Sequence, residues 1–268
     1  MMFQPDNINN LLLAFGLTMA AGLATGIGSL VSLLSKRTDR RFLSAALGLS
    51  AGVMIYVSFM ELMPESASML RPQFGERLSE IYALISFFAG IGFIALIDKL
   101  VPEDENPHEL QLESSDMPHG KLKRTGVMMA LAIGIHNFPE GLATFASAME
   151  NIEIALPIVF AIAIHNIPEG IAVSVPIYHA TGSRKKAFVY SFLSGMAEPV
   201  GAVIGFIFLS AFWTPVLNAL VLGFVSGIMV YISFDELLPG MEKYGHHHLG
   251  VAGTITGMAI MALSLLLL

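Results

Sequence analysis

Apolar residues in this chain fall into long, nearly continuous runs rather than an alternating or one-faced pattern. Eight runs stand out, at about 8–34, 41–63, 79–100, 125–149, 153–178, 186–210, 215–239 and 248–268. A helix needs roughly 20 mostly apolar residues to cross about 30 Å of hydrocarbon, and each run reaches that length. The pattern predicts an all-α polytopic membrane protein with eight transmembrane helices, forming one transporter-sized domain over residues 1–268. Most connections are short, so consecutive helices run antiparallel. Residues 101–124, VPEDENPHELQLESSDMPHGKLKR, break the series as a polar, acidic loop.

The runs are related to one another. GIHNFPEGLA, from Gly134 in the fourth run, is nearly repeated as AIHNIPEGIA, from Ala163 in the fifth. GVMIYVSFMELMPE, from Gly52 in the second, aligns without gaps to GIMVYISFDELLPG, from Gly227 in the seventh. The members of each pair run in opposite directions. Helices 1–3 and 6–8 are therefore expected to form an inverted repeat around a central 4–5 pair, a recurring plan of secondary transporters.

Charge sets the orientation. Lys36, Arg37, Arg40, Arg41, Lys99, Lys121, Lys123, Arg124, Arg184, Lys185, Lys186 and Lys243 fall on one side, 12 of the 14 basic residues. Only Arg71 and Arg77 fall on the other. Basic residues mark the cytoplasmic side, so both termini face outward and residues 101–124 are cytoplasmic. Asp6 is the only charge before the first run, which lacks the basic start of a secretion signal and reads as a retained helix. The plasma membrane, the bacterial inner membrane, is the expected location.

Composition sharpens the class. The chain is 54% hydrophobic and 13% charged, where a soluble domain carries about a quarter charged residues. It has no cysteine, which removes disulfides and thiolate ligands. The net charge of −7 argues against a nucleic-acid partner.

Ionisable residues inside the apolar runs carry the chemistry. On a helical wheel of about 100° per residue, Glu140 falls between His136 and Asn137, and Glu169 falls likewise between His165 and Asn166. Facing helices would present His with Glu along one line and Asn with Glu along the next. A carboxylate has two oxygens, so the pair suits two neighbouring metal ions bridged by carboxylates, about 3.5–4 Å apart. Pro139 and Pro168 remove helix hydrogen bonds beside this site, releasing the carbonyls of Ile135 and Ile164. SGMAEPVG in the sixth run adds Glu198, again next to a proline. One charged residue at mid-membrane costs about 2.5–3.5 kcal/mol on insertion scales, so three glutamates call for protons or cations. Imidazole, carboxylate and amide oxygen without thiolate suit Zn²⁺ or Fe²⁺. Interhelical hydrogen bonding is the plainer reading of one such residue, but six in register on two helices, with a seventh on the next, exceed what packing requires.

The pair HNFPEG and HNIPEG, on the fourth and fifth of eight helices, resembles the ZIP (Zrt/Irt-like) family of metal-ion transporters, and with SGMAEP on the sixth it is most similar to a bacterial branch of that family. The resemblance covers essentially the whole chain. It implies uptake of divalent metal into the cytoplasm through a binuclear intramembrane site. One ion would sit among His136, Glu140, His165 and Glu169, and the second among Asn137, Glu140, Asn166, Glu169 and Glu198. Zn²⁺ is the implied substrate, with Fe²⁺, Mn²⁺, Co²⁺ or Cd²⁺ also accepted, and no prosthetic group is implied. The 101–124 loop offers only His108 and His119, fewer than the His-rich loop of many relatives.

Entrance and exit candidates lie further out. Glu61, with Glu65 beyond it, ends the second run on the outer side. Asp235 and Glu236 end the seventh on the inner side, and His246, His247 and His248 precede the eighth. Partners are expected to be divalent metal ions and the lipid bilayer, and a homodimer is allowed. The leading function is a secondary transporter importing metal by alternating access, and no enzyme activity is expected. Two alternatives use the same residues: an intramembrane metal-dependent hydrolase, disfavoured by the lack of an H-E-x-x-H motif with its own general base, and a metal-selective channel.

Overall fold

The structure, a computed structural model, describes residues 8–34, 40–100, 119–209 and 212–267. Lys36, Arg37, His108 and residues 101–118 of the predicted loop lie outside the described residues. Those described are helical nearly throughout: α1 (Ile8–Leu34), α2 (Arg40–Val57), α3 (Met63–Leu100), α4 (His119–Glu150), α5 (Ile152–Thr181), α6 (Arg184–Gly195), α7 (Ala197–Leu209), α8 (Pro215–Ile232), α9 (Leu238–Lys243) and α10 (His247–Leu267). The all-α expectation holds. Among the described residues six helical stretches are long and apolar enough to cross a membrane, and one of them, Arg40–Lys99, runs through 60 residues.

That long stretch differs from expectation. Residues 64–78 fall between the predicted second and third runs, yet they are helical except at Gly75, whose φ of 74° interrupts α3. Glycine adopts this left-handed conformation without a Cβ penalty, so the chain changes direction there and resumes as helix. Similarly, α4 starts at His119, inside the predicted loop.

Two π-helical turns join the remaining pieces, Ser58–Leu62 between α2 and α3 and Ser233–Leu237 between α8 and α9. The matched stretches account for both. In SFMELMP and SFDELLP a proline, Pro64 or Pro239, lies two residues after the end of the turn. Its ring would clash with the carbonyl four residues back and it has no N–H to donate. Widening the helix relieves this, and Met63 N and Leu238 N donate to Ser58 O and Ser233 O, five residues back. Elsewhere the helices begin on ordinary caps: Asn151, Ser183 and Thr214 side chains accept from Glu153, Lys186 and Leu217 N–H.

Packing follows small residues. α2 lies against α10 and α3 against α8, while α5 lies against α1 and α4, and α4 against α7. A Cβ on Gly52 would sit 2.0 Å from Thr254 O, and one on Gly227 would sit 2.0 Å from Phe87 O. Helices approach this closely only where a side chain is missing. Buried hydroxyls add bonds between helices: Ser66 donates to Ala219 O at 2.7 Å and Ser226 to Ser58 O at 3.0 Å. The main core gathers Val53, Met54, Ile158, Ile162, Ile228 and Met229. Large apolar side chains such as Ile85, Phe88, Ile207 and Leu263 are exposed on the outside.

Gly227→Leu is expected to destabilise the protein by at least about 1–3 kcal/mol, the usual cost of overpacking. Gly92→Ala, where nothing lies within 4 Å of the added Cβ, gains about 0.5–1 kcal/mol of helix propensity. Thermal unfolding of both variants in detergent checks this contrast.

Candidate metal centre

The two copies of the repeated motif face each other. Both lie within helices, with Pro139 inside α4 and no break at Pro168 in α5. The sixth run does break: α6 ends at Gly195, Met196 is a turn, and α7 restarts at Ala197, one residue before Glu198.

Asn137, Glu140, His165, Asn166 and Glu198 are 0% exposed and Glu169 is 1% exposed. No Lys or Arg is buried among the described residues. Three carboxylates thus share an apolar interior with no Lys or Arg buried beside them among the described residues, a costly arrangement unless protons or cations join it.

Contacts join four of these residues in two pairs. His165 Nε2 lies 3.5 Å from Glu140 Oε2 across the α4–α5 interface. That gap exceeds the about 2.7–2.9 Å of a charge-assisted hydrogen bond. Asn166 Nδ2 donates to Ala21 O of α1 at 2.9 Å and to Glu198 Oε1 of α7. Asn137 Nδ2 donates more weakly to Ser194 O of α6, at 3.4 Å. Asn137 Oδ1, Asn166 Oδ1, Glu140 Oε1 and Glu198 Oε2 are buried with no hydrogen-bond partner among the described residues. Both amide groups therefore donate outward to the surrounding helices and leave their oxygens over.

The backbone around the set is held by neighbours. Ser50 of α2 donates to His165 O at 3.3 Å and Ser191 of α6 donates to Gly170 O at 3.1 Å. Gly141 and Gly170, one residue after each motif glutamate, allow backbones to meet. A Cβ on Gly141 would lie 2.1 Å from Glu198 O, and one on Gly170 would lie 1.9 Å from Thr25 O.

Six of the seven predicted site residues thus share one buried region. The seventh, His136, is in α4, but its side chain lies outside the described residues. Among the described residues, His and acidic side chains alone form no group of three that would hold an ion. The donors present are mixed with asparagine oxygens.

The outer candidates stand apart. Glu61 and Glu65 are half-buried on the first π turn and the start of α3. Asp235 and Glu236 occupy the second π turn, with Tyr231 and Asp98 close by. His247 Nδ1 contacts Glu242 Oε1, and its ring meets His248 edge-on at 5.3 Å. His246 acts through its backbone, accepting from Gly250 N at 3.0 Å and from Ser44 Oγ at 3.1 Å.

The profile of the ZIP zinc transporter family matches residues 98–265, which include both HN-x-PEG copies and Glu198. The chain belongs to the ZIP family. It is 54% identical to a zinc transporter ZupT of Clostridium perfringens, across 98% of each chain. It is 55% identical to that of Nitratidesulfovibrio vulgaris and 56% identical to that of Streptococcus mutans, in both cases over 96% of this chain and 98% of the relative. A ZIP chain with this many apolar helices is a multi-pass membrane protein. Its relatives are transporters, not hydrolases.

Asn166→Leu is expected to cost about 1–3 kcal/mol, because Ala21 O and Glu198 lose a buried donor. Asn137→Leu, which loses a single long bond, costs less. Unfolding of the two variants in detergent ranks them.

Proposed function

We propose that this chain imports divalent metal cations, zinc first among them, into the cytoplasm by alternating access through the buried set on α4, α5 and α7. The observation that carries the reading is the pairing of Glu140 with His165 across two antiparallel helices, in an interior where no Lys or Arg is buried among the described residues. Two ligands of one tetrahedral Zn²⁺, each at about 2.0–2.2 Å, stand about 3.3–3.5 Å apart. The 3.5 Å between His165 Nε2 and Glu140 Oε2 fits that spacing. The zinc-transporter names of the relatives point the same way.

In this reading His136, Glu140, His165 and Glu169 hold one ion, and Asn137, Asn166, Glu198 and the same two glutamates hold the second. Divalent charge offsets the buried carboxylates in turn, so metal and protons compete for one set of groups. The carboxylates bring the ion in as a charge-compensated guest, and the imidazoles set its preference toward borderline ions such as Zn²⁺, Fe²⁺ and Co²⁺. Glu61 stands toward the outer side, with Asp235, Glu236 and His246–His248 toward the inner.

Eight crossings are part of the proposal. Arg40–Lys99 supplies two, divided at Gly75, and α4 supplies another beyond the six apolar stretches. An inverted repeat is supported by matched local structure: π turns at Ser58–Leu62 and Ser233–Leu237, and glycine contacts of Gly52 with Thr254 and of Gly227 with Phe87. The basic residues place α4's start and the α5–α6 turn in the cytoplasm, with the termini outside the bacterial inner membrane. Exposed Ile85, Phe88 and Leu263 then face lipid.

Reconstituted vesicles are expected to accumulate Zn²⁺ in a saturable manner, with Glu140→Ala and Glu169→Ala reducing uptake by more than about tenfold. Unchanged uptake in both variants contradicts the proposal, and uptake that never saturates favours a channel. Lowering the pH below the usual imidazole range of about 6.5 slows uptake, because protons then occupy the ligands.

A further inference from the structure

The first helix carries a counterpart of Glu198. Ala21–Gly28 reads AGLATGIG and Ser194–Gly201 reads SGMAEPVG. Gly22 aligns with Gly195, Ala24 with Ala197 and Gly28 with Gly201, which sets Thr25 opposite Glu198. The contacts repeat this alignment. Asn166 Nδ2 donates to Ala21 O, and Asn137 Nδ2 donates to Ser194 O. A Cβ on Gly170 would strike Thr25 O and one on Gly141 would strike Glu198 O. Gly28 meets Ile167 O as Gly201 meets Phe138 O.

Thr25 is 0% exposed, and its Oγ1 has no hydrogen-bond partner among the described residues. Four other threonines avoid that cost by donating to the carbonyl four residues back, Thr18 to Ala14, Thr181 to Ile177, Thr254 to Gly250 and Thr256 to Ala252, whereas Thr144 of α4 shares the unpartnered state of Thr25 among the described residues. For Thr25 that carbonyl belongs to Ala21 and already accepts from Asn166. Its hydroxyl turns to α6 instead, where a Cβ on Gly195 would lie 2.7 Å from Oγ1. Glu198, bonded to the same Asn166, follows three residues later.

We propose that Thr25 gives its hydroxyl oxygen to the second cation position, beside Asn166 and Glu198, as the uncharged counterpart of that carboxylate. The inference rests on reading the α4–α5 set as a metal site. The second position, already an oxygen shell of amide and carboxylate, then gains a hydroxyl, whereas the first contains imidazole. Oxygen shells suit harder ions such as Mn²⁺. A neutral ligand completes the coordination without adding negative charge to an already acidic interior. Thr25 then helps to decide which ions the second position accepts.

Calorimetric titration of the full chain in detergent with Zn²⁺ and with Mn²⁺ tests this on Thr25→Val, Thr25→Ala and Thr25→Ser. Two ions are expected to bind the unaltered protein. Val and Ala weaken Mn²⁺ at one position by about tenfold or more and leave one tight Zn²⁺, while Ser stays within about threefold of the original. A melting curve on each variant separates lost binding from lost fold, and Ala stands in where Val does not fold. Unchanged binding of both ions in the folded Val or Ala variant overturns the role of Thr25 alone. A Ser variant as weak as Val also overturns it, since packing rather than oxygen would then matter. No Zn²⁺ bound by the unaltered protein, or two ions still bound by Glu140→Ala, overturns the site itself.

Discussion

Three carboxylates in one apolar interior set the terms for the rest of this protein. Glu140, Glu169 and Glu198 are buried where no Lys or Arg is buried among the described residues. Mutual repulsion and desolvation make the fully ionised set unstable without a compensating cation. The surrounding helices meet this demand only in part. Asn166 supplies Glu198 with one donor, and both asparagines send their amide N–H groups to carbonyls of α1 and α6. What remains is an excess of acceptors, the condition a divalent ion resolves.

Close helix packing is what makes the set possible. Gly141 and Gly170 let α4 meet α7 and α5 meet α1 backbone to backbone, so the glutamate before each glycine is brought into the shared interior. The same device joins α2 to α10 and α3 to α8 through Gly52 and Gly227. Glycine-to-carbonyl contacts give the bundle its order with little bulk, and they leave the few polar side chains as the groups that decide what is bound.

Much of this was legible in the residues. The repeated HN-x-PEG stretches name five of the six residues that the structure buries together, because an ionisable residue in an apolar run has few structural uses and two copies in register have fewer. The break in the sixth run at Met196 and the continuous helix over 64–74 were not legible: local composition around MPESASMLRP reads as a connection, and only tertiary contacts such as Ser66 with Ala219 show it packed as helix. The π turns were hidden for a related reason. SFMELMP and SFDELLP show their likeness, but not that the proline is accommodated by widening the turn. Thr25 does not stand out in the sequence, because a threonine in a membrane helix is ordinary by type. Its alignment with Glu198 through Gly22, Ala24 and Gly28 was the available signal.

The central claim is that the buried α4–α5 carboxylates hold the transported ion. X-ray absorption at the zinc edge, on purified protein loaded with Zn²⁺, tests it most directly. The account predicts a shell of imidazole nitrogen and carboxylate or amide oxygen at about 2.0–2.2 Å with no sulfur, and a second metal at about 3.5–4 Å. Both features should vanish in a Glu140→Ala, Glu169→Ala double variant. A spectrum that the double variant leaves unchanged would contradict the account, because the zinc would then lie elsewhere.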